Sequence, residues 1–150
     1  MPGVKLRKAK PADVTEVAGL YRHVREICLP FLPQLHSAQE DIEFFRHKIF
    51  PRCELVIADL DGVIAGFSAV SSGWLEQLYV LPQFHGLSVG ALLLARAKAG
   101  QAAFRLFVFQ KNLRARRFYE KHGLALVSLT DGGNNEEKEP DALYEWRSAH

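Results

Sequence analysis

Residues 78–90 read Leu-Tyr-Val-Leu-Pro-Gln-Phe-His-Gly-Leu-Ser-Val-Gly. An apolar run stops at a proline, and a loop of small residues feeds a segment with helical spacing. The first amides of a helix have no partner inside it, and the helix dipole adds partial positive charge there. Gly86, Ser88 and Gly90 let the backbone come close to a ligand. Such a loop suits an anion, above all a phosphate. It suits a tight turn and close helix packing equally well, because short glycine motifs are frequent. A second stretch, residues 110–123, carries Lys111, Arg114, Arg116, Arg117 and Lys121 against Glu120 alone. Arg114, Arg117 and Lys121 recur at helical spacing and form a basic face that a phosphorylated ligand could use. A solvated helix face is the alternative.

Other chemistries find less support. The six histidines form no HExxH pair, and no Cys–His cluster has zinc spacing, so no metal is expected. There is no G-x-S-x-G elbow, Walker sequence or G-x-G-x-x-G fingerprint. Cys28 and Cys53 read as core thiols and cannot make a disulfide framework, which points to a reducing, cytoplasmic setting. A formal net charge of +2 on 150 residues gives no electrostatic case for nucleic acid or membrane as partner. No apolar run has membrane-spanning length, and the N-terminus lacks a signal-peptide core.

These candidates need elements to hold them. Val4 to Lys8 alternates as a short strand, and Pro11 opens a helix with Val14, Val17, Ala18, Tyr21, Val24 and Cys28 on one stripe. Pro30 and Pro33 end it. Ser37 and Glu40 have capping-box spacing before a second helix with Ile42, Phe45 and Ile49. Strands are predicted at 55–58, 63–70 and 74–80, with turns at Asp61-Gly62 and Ser72-Gly73. A helix follows through Val89, Leu92, Leu93 and Ala97 to Gly100, then a strand at 105–109. Asn112 caps a helix with Ala115, Phe118, Tyr119 and His122 on one stripe, closed by Gly123. Two last strands, 124–130 and 142–147, flank a polar loop. Early and late hairpins with helical crossovers between them imply one α/β domain over 1–150, a mixed sheet with helices on its faces.

The two functional stretches together resemble the GNAT superfamily of acyl-CoA-dependent N-acetyltransferases. One family signature is a Q/R-x-x-G-x-G/A loop after an LYV-x-P strand. Here it is matched by Leu78, Tyr79, Val80 and Pro82, then His85, Gly86, Leu87, Ser88, Val89 and Gly90. The other is N-x-x-A-x-x-F-Y-x-x-x-G-F/L, matched by Asn112, Ala115, Phe118, Tyr119, Gly123 and Leu124. The chain departs at His85, where Gln or Arg is usual, and at Ser88, where the first spaced glycine stands.

The resemblance implies a central mixed, mostly antiparallel sheet of about seven strands with about four helices. It implies acetyl-CoA as cosubstrate and an amine as acceptor. Residues 78–80 and 85–90, with Asn112, Arg114 and Arg117, would hold the cofactor. An alkylamine has a pKa near ~10 and must lose a proton before it attacks, and Glu76 or a water would take it. Tyr119, whose phenol titrates at about 10 in solution, would protonate the CoA thiolate. Residues 29–36 would line the acceptor cleft, and the acidic loop 131–141 would attract a cationic amine if it borders that cleft. Similar proteins are often homodimers. A rival from another class is a non-catalytic acyl-CoA-binding module.

Overall fold

The computed structural model describes residues 3–149. In chain order the elements are β1 (Val4–Lys8), a 3-10 turn (Pro11–Asp13), α1 (Val14–Cys28) and α2 (Ala38–Phe44). A π-helical turn (Phe45–Ile49) leads into α3 (Phe50–Arg52), then β2 (Glu54–Leu60), β3 (Val63–Ser71) and β4 (Trp74–Val80). After a 3-10 turn (Pro82–Phe84) come α4 (Val89–Lys98), β5 (Ala103–Phe109), α5 (Leu113–Lys121), β6 (Ala125–Leu129) and β7 (Asp141–Arg147).

Local chemistry accounts for the helix starts. The Ser37 hydroxyl accepts from the Glu40 amide at 3.1 Å, and Glu40 accepts from the Ser37 amide at 2.9 Å, closing the capping box. Asn112 Oδ1 accepts from the Ala115 amide at 3.2 Å and starts α5. The π-helical turn was not read from sequence. Pro51 has no N–H, and its ring would meet the carbonyl four residues back, so the wider turn absorbs the clash.

The sheet has seven strands in the order β1-β2-β3-β4-β5-β7-β6. Each neighbouring pair is antiparallel except β4 with β5. α1 and α2 cover one face of β2–β4, where Val14, Val17 and Phe45 pack on Ile57 and Phe67. α4 covers the other face, with Val89 and Leu93 against Val56, Ala58 and Ala65. α5 lies on the α4 side, where Tyr119 meets Leu94, Leu106, Val108 and Tyr144.

Strand ends differ from the sequence reading where a partner strand decides them. β2 runs on to Leu60, opposite Val4 and Val63, and β5 begins at Ala103, opposite Arg147. β6 begins one residue later than expected, because Leu124 turns inward beneath α5 and is buried.

Candidate functional site

Among the described residues, β4 and β5 share one registered pair, Trp74 with Arg105. The Arg105 amide donates to the Gly73 carbonyl at 2.9 Å, and Trp74 stacks on Phe107 at 5.6 Å. Beyond that clasp the two strands part. A cleft of about 520 Å³ opens there, walled by Leu78, Tyr79 and Val80 of β4, the loop into α4, and α5. Of the predicted binding residues it gathers Leu78, Tyr79, Val80, His85, Gly86, Ser88, Val89, Gly90, Asn112 and Arg114.

The loop is shaped for close approach. Ser88, the residue before α4, has φ +65° and ψ 13°, a left-handed conformation, and its hydroxyl makes no capping bond. Leu92 is the first amide to bond back into the helix, to the Ser88 carbonyl at 3.0 Å. The amides of Val89, Gly90 and Ala91 therefore belong to the unpaired first turn, facing the cleft. A side chain at Gly90 would press on the Phe118 ring, 3.3 Å from an added Cβ, so glycine lets α5 lie against α4. The His85 ring is engaged at the end of β4. Its Nε2 donates to the Val80 carbonyl at 3.0 Å, since a carbonyl only accepts. Burial, then Arg114, holds its pKa below the usual histidine range, so at neutral pH Nδ1 is an acceptor. His85 thus braces the end of β4.

On α5, Tyr119 is 7% exposed and reaches the cleft wall. Burial, with Tyr79 nearby, pushes its phenol well above the usual tyrosine range, so it stays protonated. Arg114 and Lys121 line the cleft, whereas Arg117 and Leu87 do not. Each helical residue advances about 100°, which carries Arg117 off the face that Arg114 and Phe118 share. The rest of the basic set is committed elsewhere. Arg116 donates to the Tyr144 hydroxyl at 3.1 Å, and Lys111 lies 3.6 Å from Glu139. The wall also includes Leu29 of the expected acceptor stretch, and Val24, Cys28, Phe84 and His122, which were not among the predicted site residues. Val24 and Cys28 were visible as an i, i+4 pair, yet that spacing is also what a core stripe shows.

Glu76 is not brought to this cleft. Simple strand alternation would put Glu76, Leu78 and Val80 on one side of β4. The register breaks that pattern: Ala69 pairs with Gln77 and Val70 with Leu75, so Glu76 is the extra residue of a bulge. Its exposed carboxylate accepts from the Ser71 hydroxyl at 2.7 Å.

A second cavity of about 330 Å³ adjoins the first, with Leu29 in both walls. It brings the loop after α1 (Leu29 to His36) against Glu136 and Glu137 of the β6–β7 loop. The acidic loop thus borders a cavity next to the cleft. Two contacts tie it down: Arg25 donates to Glu137 at 2.7 Å, and His36 Nε2 meets Glu136.

Among the described residues, no group of three or more His, Cys, Asp or Glu could hold a metal ion. No described helix is long and apolar enough to cross a membrane.

Comparison with known proteins agrees with this geometry. The profile of the Acetyltransferase (GNAT) family matches residues 21–124. An uncharacterised N-acetyltransferase of Archaeoglobus fulgidus is 31% identical over 86 residues, covering 47% of this chain and 58% of that protein. One from Mycobacterium bovis is 37% identical over 93 residues, covering 55% and 60%. The matches thus span about three fifths of these relatives' length. In fold, the chain is similar to apo YjaB from Escherichia coli (TM-score 0.79, 19% identity, 96% of this chain and 97% of that one). It is also similar to PaiA N-acetyltransferase from Thermoplasma acidophilum in complex with coenzyme A (TM-score 0.77, 20% identity, 97% and 99%).

Proposed function

The chain belongs to the GNAT family of acetyltransferases, and from that premise we propose that it moves an acetyl group from acetyl-CoA directly to a primary amine of a small molecule or an exposed peptide group. One observation carries the reading. The parting of β4 from β5 makes a cleft that joins the unpaired amides of α4 to the Tyr119 phenol.

The residues present fit such a cosubstrate. Leu78 and Val80 offer backbone groups on an unpaired strand edge, where a pantetheine amide can bond as an added strand would. The first-turn amides of α4, with Arg114 and Lys121 across the cleft, suit a diphosphate. PaiA, a protein of the same fold, was solved with coenzyme A. Cys28 and Cys53 are both free thiols, as a cytoplasmic setting would leave them.

Bound acetyl-CoA supplies an acyl thioester, whose leaving thiolate has a pKa of roughly 8–9. Tyr119 holds a proton at its phenol oxygen for that departing sulfur. Its burial keeps the proton in place until a thiolate develops beside it. His85 fixes the Val80 carbonyl and with it the end of the strand edge. Glu76, turned onto the bulge, takes no part, and a water is the immediate base.

The test is Tyr119→Phe, which keeps the ring and removes the hydroxyl. Acetyl-CoA affinity should stay within about twofold, while CoA release with an active amine falls roughly 100-fold. Unchanged turnover would remove Tyr119 from the reaction. Acetyl-CoA binding without turnover on any of a panel of amines, amino acids and peptides would favour the non-catalytic acyl-CoA-binding module.

A further inference from the structure

The second cavity meets the cleft at a defined seam. Tyr21 from the cavity wall touches Tyr79 from the cleft wall edge to face, with ring centroids 5.1 Å apart. The Arg25 guanidinium lies over the Tyr21 ring at 5.0 Å and sits against the Tyr79 hydroxyl. A molecule seated in the cavity can present one end across this seam to the acyl end of the cleft.

Two guanidinium groups face that cavity, and both are already engaged. Arg22 donates to Asp41 at 3.0 Å and to the His36 carbonyl at 2.9 Å. Arg25 donates to Glu137 at 2.7 Å. These pairs are largely shielded: side-chain exposure is 24% and 12% in the first and 18% and 14% in the second. Each guanidinium charge is thus already neutralised by a carboxylate beside it, and an incoming carboxylate or phosphate would meet Asp41 or Glu137 at either arginine and be repelled. The other two acids of the wall are more open. Glu26 is 49% exposed and Glu136 58%. Four carboxylates thus face two guanidiniums, and the balance stays negative even when His36 is protonated.

We propose that the Arg22–Asp41 and Arg25–Glu137 pairs make this cavity an acceptor site for a small amine carrying a second positive charge, and that they exclude amines carrying an acid group. The proposal rests on the transferase reading for the reaction, while the binding preference stands apart from it. The second cation is held near Glu136 and Glu26, and the reacting amine lies toward Tyr79.

Three four-carbon acceptors separate the possibilities: 1,4-diaminobutane, butylamine and 4-aminobutanoate. CoA release gives KM for each, and calorimetry with CoA present gives each Kd in a complex that cannot react. KM should rise in the order given, by at least about tenfold from the diamine to the amino acid. Glu137→Gln leaves Arg25 without its carboxylate and should narrow that gap about tenfold, by favouring 4-aminobutanoate. Glu136→Gln, at an exposed position that folding tolerates, should raise KM for the diamine about threefold, and by more than for butylamine. Equal constants for the three, a wild-type preference for 4-aminobutanoate, or failure of the diamine to bind would overturn the proposal. Diamine binding without acetyl transfer would instead sink the transferase reading and leave the site standing.

Discussion

Replacing Ser88 by glycine should stabilise the chain and tighten its grip on acetyl-CoA. Ser88 holds φ +65° at the entrance to α4. An L-residue in that left-handed region costs about 1–2 kcal/mol, from Cβ crowding the following carbonyl. Its hydroxyl recovers nothing as a cap. Glycine removes the crowding but adds freedom to the unfolded chain, at about 0.5–1 kcal/mol. The difference is a net gain of about 0.5 kcal/mol. For a chain of this size 1 kcal/mol moves Tm by about 2–4 °C, so the expected rise is ~1–2 °C. Urea midpoints measured side by side resolve such a change better than extrapolated free energies. Loss of the Cβ also lets a diphosphate settle closer to the α4 amides, and acetyl-CoA should bind about threefold tighter. Ser88→Ala is the control, since it removes the hydroxyl and keeps the Cβ. A stability gain in Ser88→Ala equal to that in Ser88→Gly would refute the argument from backbone strain. So would a loss of more than about 0.5 kcal/mol in Ser88→Gly.

Three further outcomes follow from particular contacts. Glu76→Gln should leave kcat and KM for the amine within about twofold, because the bulge keeps the carboxylate on Ser71; a loss near 100-fold would restore Glu76 as the base. Gly66→Ala should cost about 2–3 kcal/mol and lower Tm by ~5 °C or more in a thermal melt. An added Cβ would lie 2.7 Å from the backbone oxygen of Tyr79, and β4 must shift to relieve it. Acetyl-CoA binding should weaken with it, since Val80, opposite Gly66, lines the cleft. The third outcome concerns pH. Contact with Glu136 raises the His36 pKa, so the tie between the two loops is fully present below the unfolded value of 6.5 and is lost as pH rises through the folded one. Proton NMR should show His36 titrating above 6.5, and Glu136→Gln should bring it back down.

What could be read from sequence divides along the range of the interactions. The ends of β4, the Ser37 box and the Asn112 cap depend on residues within three or four positions of each other, and all three were legible. The bulge at Glu76 was not, because two residues face one only when β3 lies alongside with its own register. Arg117 and Lys121 looked alike as members of a basic helix, and the rotation of α5 against the cleft separated them. His85 stood out in sequence only as a departure from the loop signature. Its bond to Val80, five residues back, depends on how the 3-10 turn at Pro82–Phe84 folds the loop over. The two acids at 136 and 137 were read only as part of an acidic loop. Their partners Arg25 and His36 lie more than ninety residues earlier, and no local pattern announces such pairs.

The parting of β4 and β5 ties these pieces into one mechanism. Buried backbone amides and carbonyls nearly always find partners, so two neighbouring strands that separate inside a sheet leave groups in need of them. Here the strands stay joined at the Trp74 clasp and open toward their C-terminal ends. The open edge lies beside the first-turn amides of α4, which are also unpaired, and beside a buried phenol. Each is a local debt of hydrogen bonding, and a long, amide-bearing, diphosphate-tailed molecule satisfies all of them together. A cleft built for a compact apolar ligand would have no use for an open strand edge. A nucleotide pocket would need the phosphate amides without the length of β4. The proposed acceptor cavity meets this cleft through the Tyr21–Tyr79 contact, so on that proposal the acyl group passes toward the cavity beside Tyr79.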